Sequence, residues 1–236
     1  EPNPMLYPAT GSQFGIFDYC GFPKDEAFYL KSWWTDEPVL HLSPHWNLSG
    51  HEGDSINVWA YSNCDEVELF VNGKSLGRKS MPVNGYIEWK TINRPGSLLA
   101  KGYKAGKKVM VEKIETTGKA TRISIEPYNT TLKAGGQDIA IVDLTLKDEK
   151  NREVPDAMNE MIVTLTGPAT ILGYGNGDPG FKEIERPVNG ETSFRIKAFS
   201  GKAQVIIRSQ EGKKGNVQLE VSGTGLKKAT QQFIID

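Results

Sequence analysis

The sequence predicts a mainly β protein: two β-sandwiches in tandem, preceded by a short helical stump. Three observations predict it. From about residue 38 onward the apolar positions alternate with period two and are cut by turn residues every ~8–12 positions. Only one stretch, Pro23 to Trp34, carries a convincing helical period. Near Thr116-Thr117-Gly118-Lys119-Ala120-Thr121 the rhythm breaks at a small polar linker, and the strand pattern then restarts.

Composition sets the class. The 236 residues are 38% hydrophobic and 24% charged, as expected of a globular chain. Lys+Arg number 28 and Asp+Glu 29, a net charge of −1, so no field is available to attract nucleic acid or an anionic membrane. No apolar run reaches the ~20 residues of a membrane-spanning helix. The sequence opens Glu1-Pro2-Asn3-Pro4, with neither Met nor a signal peptide, which predicts that the natural N-terminus lies elsewhere. Cys20 and Cys64 make no disulfide framework and are expected as plain thiols, with a bridge between them left open by sequence.

The elements follow in order. Pro23 suits a first helical turn, and Asp25 and Glu26 favour the positive end of the helix. Ala27, Leu30 and Trp34 share one face, and Pro38 ends the helix at the latest. A helix this short needs a surface to pack on. It is expected to dock on the first sandwich through Trp33 or Trp34, against the strand bearing Trp59. Val39–Leu42 gives a short strand. In Ser55–Tyr61, Ile56, Val58 and Ala60 share a face; in Glu66–Val71, Val67, Leu69 and Val71 face in and both glutamates face out. Asn72-Gly73 is a hairpin turn into Lys74–Met81. Tyr86–Ile92, Ser97–Lys104 and Lys107–Thr116 complete about seven strands. Beyond the linker, eight strands are predicted: Arg122–Pro127, Asp138–Lys147, Met161–Thr166, Ala169–Tyr174, Gly190–Phe199, Gly201–Ser209, Asn216–Ser222 and Gln231–Ile235.

Several catalytic patterns match by letter and fail by context. Gly73-Lys74-Ser75-Leu76-Gly77 fits G-x-S-x-G, but a nucleophile elbow needs a strand before it and a helix after it. Gly175-Asn176-Gly177-Asp178-Pro179-Gly180 fits G-x-G-x-x-G, yet Pro179 and Phe181–Pro187 offer no helix to hold a pyrophosphate. A glycine-rich loop at a sandwich end is expected instead. Asn176, Asp178 and Glu183 do not have the spacing of a calcium loop. His41, His45 and His51 cluster in sequence, but Pro44 argues against a helix presenting the first two to zinc. Glycoside hydrolysis needs two carboxyl groups ~5–9.5 Å apart. Asp65, Glu66, Glu68, Asp148, Glu149, Glu183 and Glu185 fall mostly in turns or at outward positions, where solvated charge is expected. All five tryptophans, Trp33, Trp34, Trp46, Trp59 and Trp89, lie early in the chain. Trp59 and Trp89 alternate within strands and are expected to pack. Trp46, ahead of a polar loop, is the best candidate for an exposed ring that stacks on sugar. The sequence assigns no catalytic residue, no cofactor and no metal.

Taken together, the motifs GIFDYCGFPKD, KSWWTDEPVLHLSPHWN, EGDSINVWAYSNCDEVELFVNGKSLG, LLAKGYKAGKKV, LKAGGQDIAIVDLTLKD and GYGNGDP occur in the order found in one family. The chain resembles the C-terminal region of bacterial, β-galactosidase-like enzymes of glycoside hydrolase family 2. The resemblance implies that residues 1–37 are the last loop and helix of a (β/α)8 barrel. It implies that 38–118 form the first sandwich and 119–236 a second, both immunoglobulin-like. The family's catalytic glutamates lie upstream, so none is carried over. Asp18 and Lys24 sit where the barrel's last loop would approach the substrate rim, and with Trp46 they are the candidate substrate-binding residues. The implied role is a non-catalytic accessory region whose partner is the upstream barrel of the same parent chain, with a glycan or a second copy as further partners. The implied location is periplasmic or secreted, in bacteria. The rival expectations are a carbohydrate-binding module and a structural, adhesin-like pair of sandwiches.

Overall fold

The computed structural model describes residues 14–180 and 192–236. Among them, Phe14–Phe17 with Pro23–Thr117 form one compact unit, and Asp18–Phe22 with Gly118–Asp236 form the other. The predicted turn at Asn189-Gly190, the start of the strand predicted from Gly190, and Glu183 and Glu185 lie outside the described residues.

The first unit carries one helix and seven strands. Helix α1 spans Asp25–Trp34. It begins two residues later than Pro23 suggests, because Pro23 bridges Phe17 and the Lys24 N–H donates to the Ile16 carbonyl (2.9 Å), holding the chain extended. The strands are β1 (Leu40–Ser43), β2 (Ser55–Ser62), β3 (Glu66–Val71), β4 (Lys74–Ser80), β5 (Ile87–Ile92), β6 (Ser97–Lys104) and β7 (Lys107–Glu115). They form two antiparallel sheets, β1-β2-β5 and β4-β3-β6-β7. Asn72 and Gly73, at φ 48° and 81°, turn β3 into β4, and Ala105 and Gly106, at 48° and 74°, turn β6 into β7. Positive φ at both central residues matches the twist of the strands, which is why these short links work. Alternation then delivers Leu42, Val58, Val67, Leu69 and Leu98 to one core, with Trp89 among them.

The helix docks as expected but on a different face. Phe28 stacks on His41 of β1 (centroids 3.9 Å apart, planes at 10°), and Tyr29 meets Tyr61 of β2 edge-on at 5.8 Å. Ser32, one turn after Phe28, is buried and donates its hydroxyl to the Tyr29 carbonyl (2.7 Å). Trp34 is 77% exposed and Trp33 half-buried, so neither tryptophan anchors the helix. The stripe through residues 28 and 32 won over the more apolar Ala27–Trp34 stripe because flat rings on β1 and β2 offer aromatic partners to Phe28 and Tyr29.

The second unit is a sandwich of two antiparallel sheets. Its strands are β8 (Arg122–Pro127), β9 (Thr131–Leu132), β10 (Ile139–Lys147), β11 (Glu160–Thr166), β12 (Ala169–Gly175), β13 (Ser193–Lys197), β14 (Lys202–Ser209), β15 (Gly215–Gly223) and β16 (Leu226–Ile235). One sheet runs β12-β14-β10-β8 and the other β16-β15-β11-β13. They join where β8 meets β16 in parallel at Arg122 and Lys227, and β9 pairs with β16. Leu144, Val205 and Ile207 from the first sheet share a core with Val163, Leu219 and Phe233 from the second.

The turn after β10 corrects another expectation. Asp148, expected in solvent, is 2% exposed. Its carboxylate accepts the backbone N–H groups of Gly118, Lys150 and Arg152 and a charged hydrogen bond from Arg152 Nη2 at 2.5 Å. Burial alone would raise its pKa. These bonds and the Arg152 charge outweigh it and hold the carboxyl well below the usual range.

Candidate functional site

In the second unit a concavity sits between the loop 18–22 and the end of β12. Asp18 builds the loop. Its Oδ1 accepts the N–H groups of Cys20 and Phe22, both at 2.9 Å, and its backbone carbonyl accepts Gly21 N–H. The same loop is pinned to β14, where Gln204 Nε2 donates to the Cys20 carbonyl (3.0 Å) and to Asp143 Oδ1 (2.9 Å) on β10. The Lys202 ammonium lies 5.3 Å from the centre of the Phe22 ring.

The glycine-rich segment forms the other wall. A register shift between Ile171 and Gly173 against β14 marks a β-bulge just before it. Tyr174 is fixed by stacking on Phe194 (3.9 Å, 11°). Asn176 is buried, and its side chain donates to the Lys197 carbonyl (2.9 Å) and accepts the Asp178 N–H (3.0 Å). Gly177 has φ +80°, and a Cβ there would overlap the Asp18 carboxylate. The two walls therefore touch at a position that only glycine can occupy. Between them lies a pocket of about 270 Å³, lined by Tyr19 and Cys20, by Gly173 to Asp178, and by Gln204 and Ile206.

A second polar cluster lies in the first unit. His41 Nε2 is 2.8 Å from Asp25 Oδ1, and His41 Nδ1 is 3.6 Å from Glu112 Oε1. The Ser43 hydroxyl donates to the other Asp25 oxygen. Burial raises Asp25, but the hydrogen bonds from His41 and Ser43 outweigh it and lower its pKa. Glu112 is pushed up to about 7 chiefly by burial, against the opposing effects of His41 and the Leu42 N–H, with a smaller upward push from the Asp25 charge. Among the described residues its Oε2 is buried without a hydrogen-bond partner. Because Ser43 bonds to the carboxylate and not to the imidazole, the cluster lacks the nucleophile–base contact of a hydrolytic triad.

The sequence-predicted site residues fare unequally. Trp46 is 1% exposed, which overturns its reading as an open stacking ring. Its Nε1 donates to the Arg94 carbonyl (2.9 Å), and its backbone carbonyl accepts the Thr116 hydroxyl. A tryptophan whose polar atom finds a carbonyl can be wholly buried. Asp18 shapes the loop beside the pocket without lining it. Lys24 occupies the N-cap position of α1, without a side-chain capping bond, and does not line the pocket. Ser75 lies on the exposed hairpin strand β4, bonded to Glu68, with no helix behind it. Trp89 is core, whereas Trp59 is only half-buried, its Nε1 donating to Glu88 Oε2 (2.6 Å). Among the described residues no group of three or more His, Cys, Asp or Glu side chains is arranged to hold a metal ion. Sequence reasoning missed Tyr19, Asn176 and Gln204 as neighbours. The one signal present was Tyr19 following Asp18 in a Gly-ended turn.

Comparison with known proteins adds a second line of observation. Residues 123–232 match the family model "Glycoside hydrolase family 2 C-terminal domain 5", and residues 53–110 match a domain of unknown function, DUF4982. The beta-galactosidase BoGH2A of Bacteroides ovatus is 40% identical over 97% of this chain and 26% of its own length. A putative beta-glucuronidase of Formosa agariphila is 30% identical over 83% of the chain and 19% of its own length. A beta-glycosidase structure from Bacteroides vulgatus superimposes with a TM-score of 0.88 at 33% identity, over 97% of this chain and 29% of that one. A family 2 glycosyl hydrolase structure from Bacteroides cellulosilyticus gives 0.89 at 25% identity. The chain thus spans about a quarter of the length of the curated relatives it matches.

Proposed function

The chain belongs to glycoside hydrolase family 2, as a C-terminal region, and from that premise we propose that it is a non-catalytic accessory region that braces the catalytic barrel of an exo-glycosidase. The observation that carries the reading is the seat of α1. The helix that the family resemblance makes the last of the barrel is held to β1 and β2 by the Phe28–His41 stack, the Asp25–His41 bond and the Tyr29–Tyr61 contact. A barrel ending in this helix would share it with the sandwich, so loosening the barrel would require breaking these aromatic contacts. The partner in this reading is the upstream barrel of the same polypeptide, and the parent protein is exported to act on glycans. The adhesin-like alternative has no comparable support, since the similarity runs through glycosidases over nearly the whole chain.

The test is an assay of the 236-residue chain against nitrophenyl β-galactosides and β-glucuronides. No turnover is expected. Turnover abolished by a point substitution within this chain would overturn the reading.

A further inference from the structure

We propose that the pocket between the loop 18–22 and the glycine-rich turn 175–178 is a binding site for an uncharged pyranose ring. The proposal depends on the second unit alone and stands whether or not the chain braces a barrel. Four features of the pocket point to that ligand.

Size is the first. About 270 Å³ falls just below the ~300–1,000 Å³ of pockets that hold drug-sized ligands, so it suits one ring and not an extended chain. The second feature is an apolar platform. Tyr19 lines the pocket and is 57% exposed, while its neighbours in the loop are fixed by the Asp18 carboxylate. An accessible ring on a fixed turn offers a flat face to the C–H side of a sugar at small entropic cost.

Hydrogen-bonding capacity is the third feature. Gln204 commits its amide nitrogen to Cys20 and Asp143, and among the described residues its Oε1 takes no partner. Asp178 Oδ1 accepts the Gly180 N–H (2.7 Å), and among the described residues its Oδ2 takes no partner. The lining is therefore rich in acceptors, and the ligand must bring the donors, as the hydroxyls of a sugar do.

Charge is the fourth feature, and it sets the specificity. Among the described residues, Asp178 is the one ionisable carboxylate in the lining, with Asp18 and Asp143 just behind it, and no Lys or Arg lines the pocket. A ligand with a carboxylate or phosphate would meet like charge, with no Lys or Arg among the described lining residues to pair it. A neutral hexopyranoside meets none of that repulsion. The pocket is also preorganised: Gly177 at φ +80° against Asp18, Asn176 tied to Lys197 and Tyr174 stacked on Phe194 leave little to order on binding.

The experiment is a titration of ¹⁵N-labelled chain with methyl β-D-galactopyranoside, methyl β-D-glucopyranoside and methyl β-D-glucuronide, followed by ¹H–¹⁵N spectra. The expected result is saturable binding of at least one neutral pyranoside, with Kd on the order of 1 mM. Shifts should concentrate at residues 18–22, 173–178 and 204. The glucuronide should bind at least about tenfold more weakly, equivalent to ~1.4 kcal/mol. Tyr19→Ala should weaken neutral-sugar binding about tenfold without lowering the melting temperature, since the ring is exposed. Asp178→Asn, which keeps the shape of the side chain, should narrow the gap between neutral and acidic sugars. No binding to the wild type at tens of millimolar, shifts centred elsewhere, or equal binding of all three sugars would each overturn the proposal. Neutral-sugar binding unchanged in Tyr19→Ala would do the same.

Discussion

Single residues hold the two clusters together, and each makes a prediction. Gly177 sits at φ +80° against the Asp18 carboxylate. An Ala there meets an unfavourable backbone region costing about 1–2 kcal/mol, and the overlap adds to it. Gly177→Ala should therefore lower the unfolding midpoint of the second sandwich in urea. Gly212→Ala, with positive φ but open space around it, should cost less. Glu112 makes a prediction about pH. Its folded pKa is raised from 4.5 to about 7, mainly by burial, so the native state holds the proton more tightly than the unfolded chain. The stability linked to it is full below about pH 4.5 and is lost as the pH rises to about 7. Glu112→Gln keeps the shape without the charge. It should stabilise the first sandwich at pH 8 by on the order of 1–3 kcal/mol and change little at pH 4.5. Urea melts at the two pH values check this, and an equal effect at both would show that burial of the charge is not the cause.

At the scale of elements, the strands were legible and the surfaces they build were less so. Val67 and Leu69 of β3, and Leu98 and Ala100 of β6, alternate cleanly because one face of each strand is buried. β8 matches its expected bounds. β9 was missed because its two residues, Thr131–Leu132, have no period to read and exist through pairing with β16. The first half of β16 was missed because Lys227 and Lys228 break the apolar pattern on an exposed segment. The face of α1 was misread because the stack of Phe28 on His41 depends on a partner 13 positions away in the sequence. The pocket was illegible for the same reason on a larger scale, since it joins residues 18–22 to residues 173–206. Asp148 shows what a turn can hide: a single carboxylate there accepts three backbone N–H groups and an Arg side chain. Asp148→Ala leaves those donors and the Arg152 charge unpaired at a buried site, at a cost of roughly 3–5 kcal/mol. Chemical denaturation should show that loss in the second sandwich. A change within ~0.5 kcal/mol would mean that the turn re-forms on water.

For the whole molecule, the central claim is that this family 2 region contributes mechanical support and not chemistry. Its seven-stranded first unit carries α1 as an integral part, through Phe28, Tyr29 and the buried Ser32. If that helix also closes a catalytic barrel, weakening its seat should reach the active enzyme as lost durability. Phe28→Ala removes a half-buried ring and its stack on His41, a change expected to cost about 1–3 kcal/mol of local stability. The most direct measurement is made in the parent glycosidase, comparing wild type and Phe28→Ala for two quantities: kcat/KM at 25 °C and the temperature of half-inactivation. The account predicts an unchanged kcat/KM and an inactivation temperature lower by several degrees. A fall in kcat/KM with the inactivation temperature unchanged would contradict it, and would mean that this region takes part in catalysis.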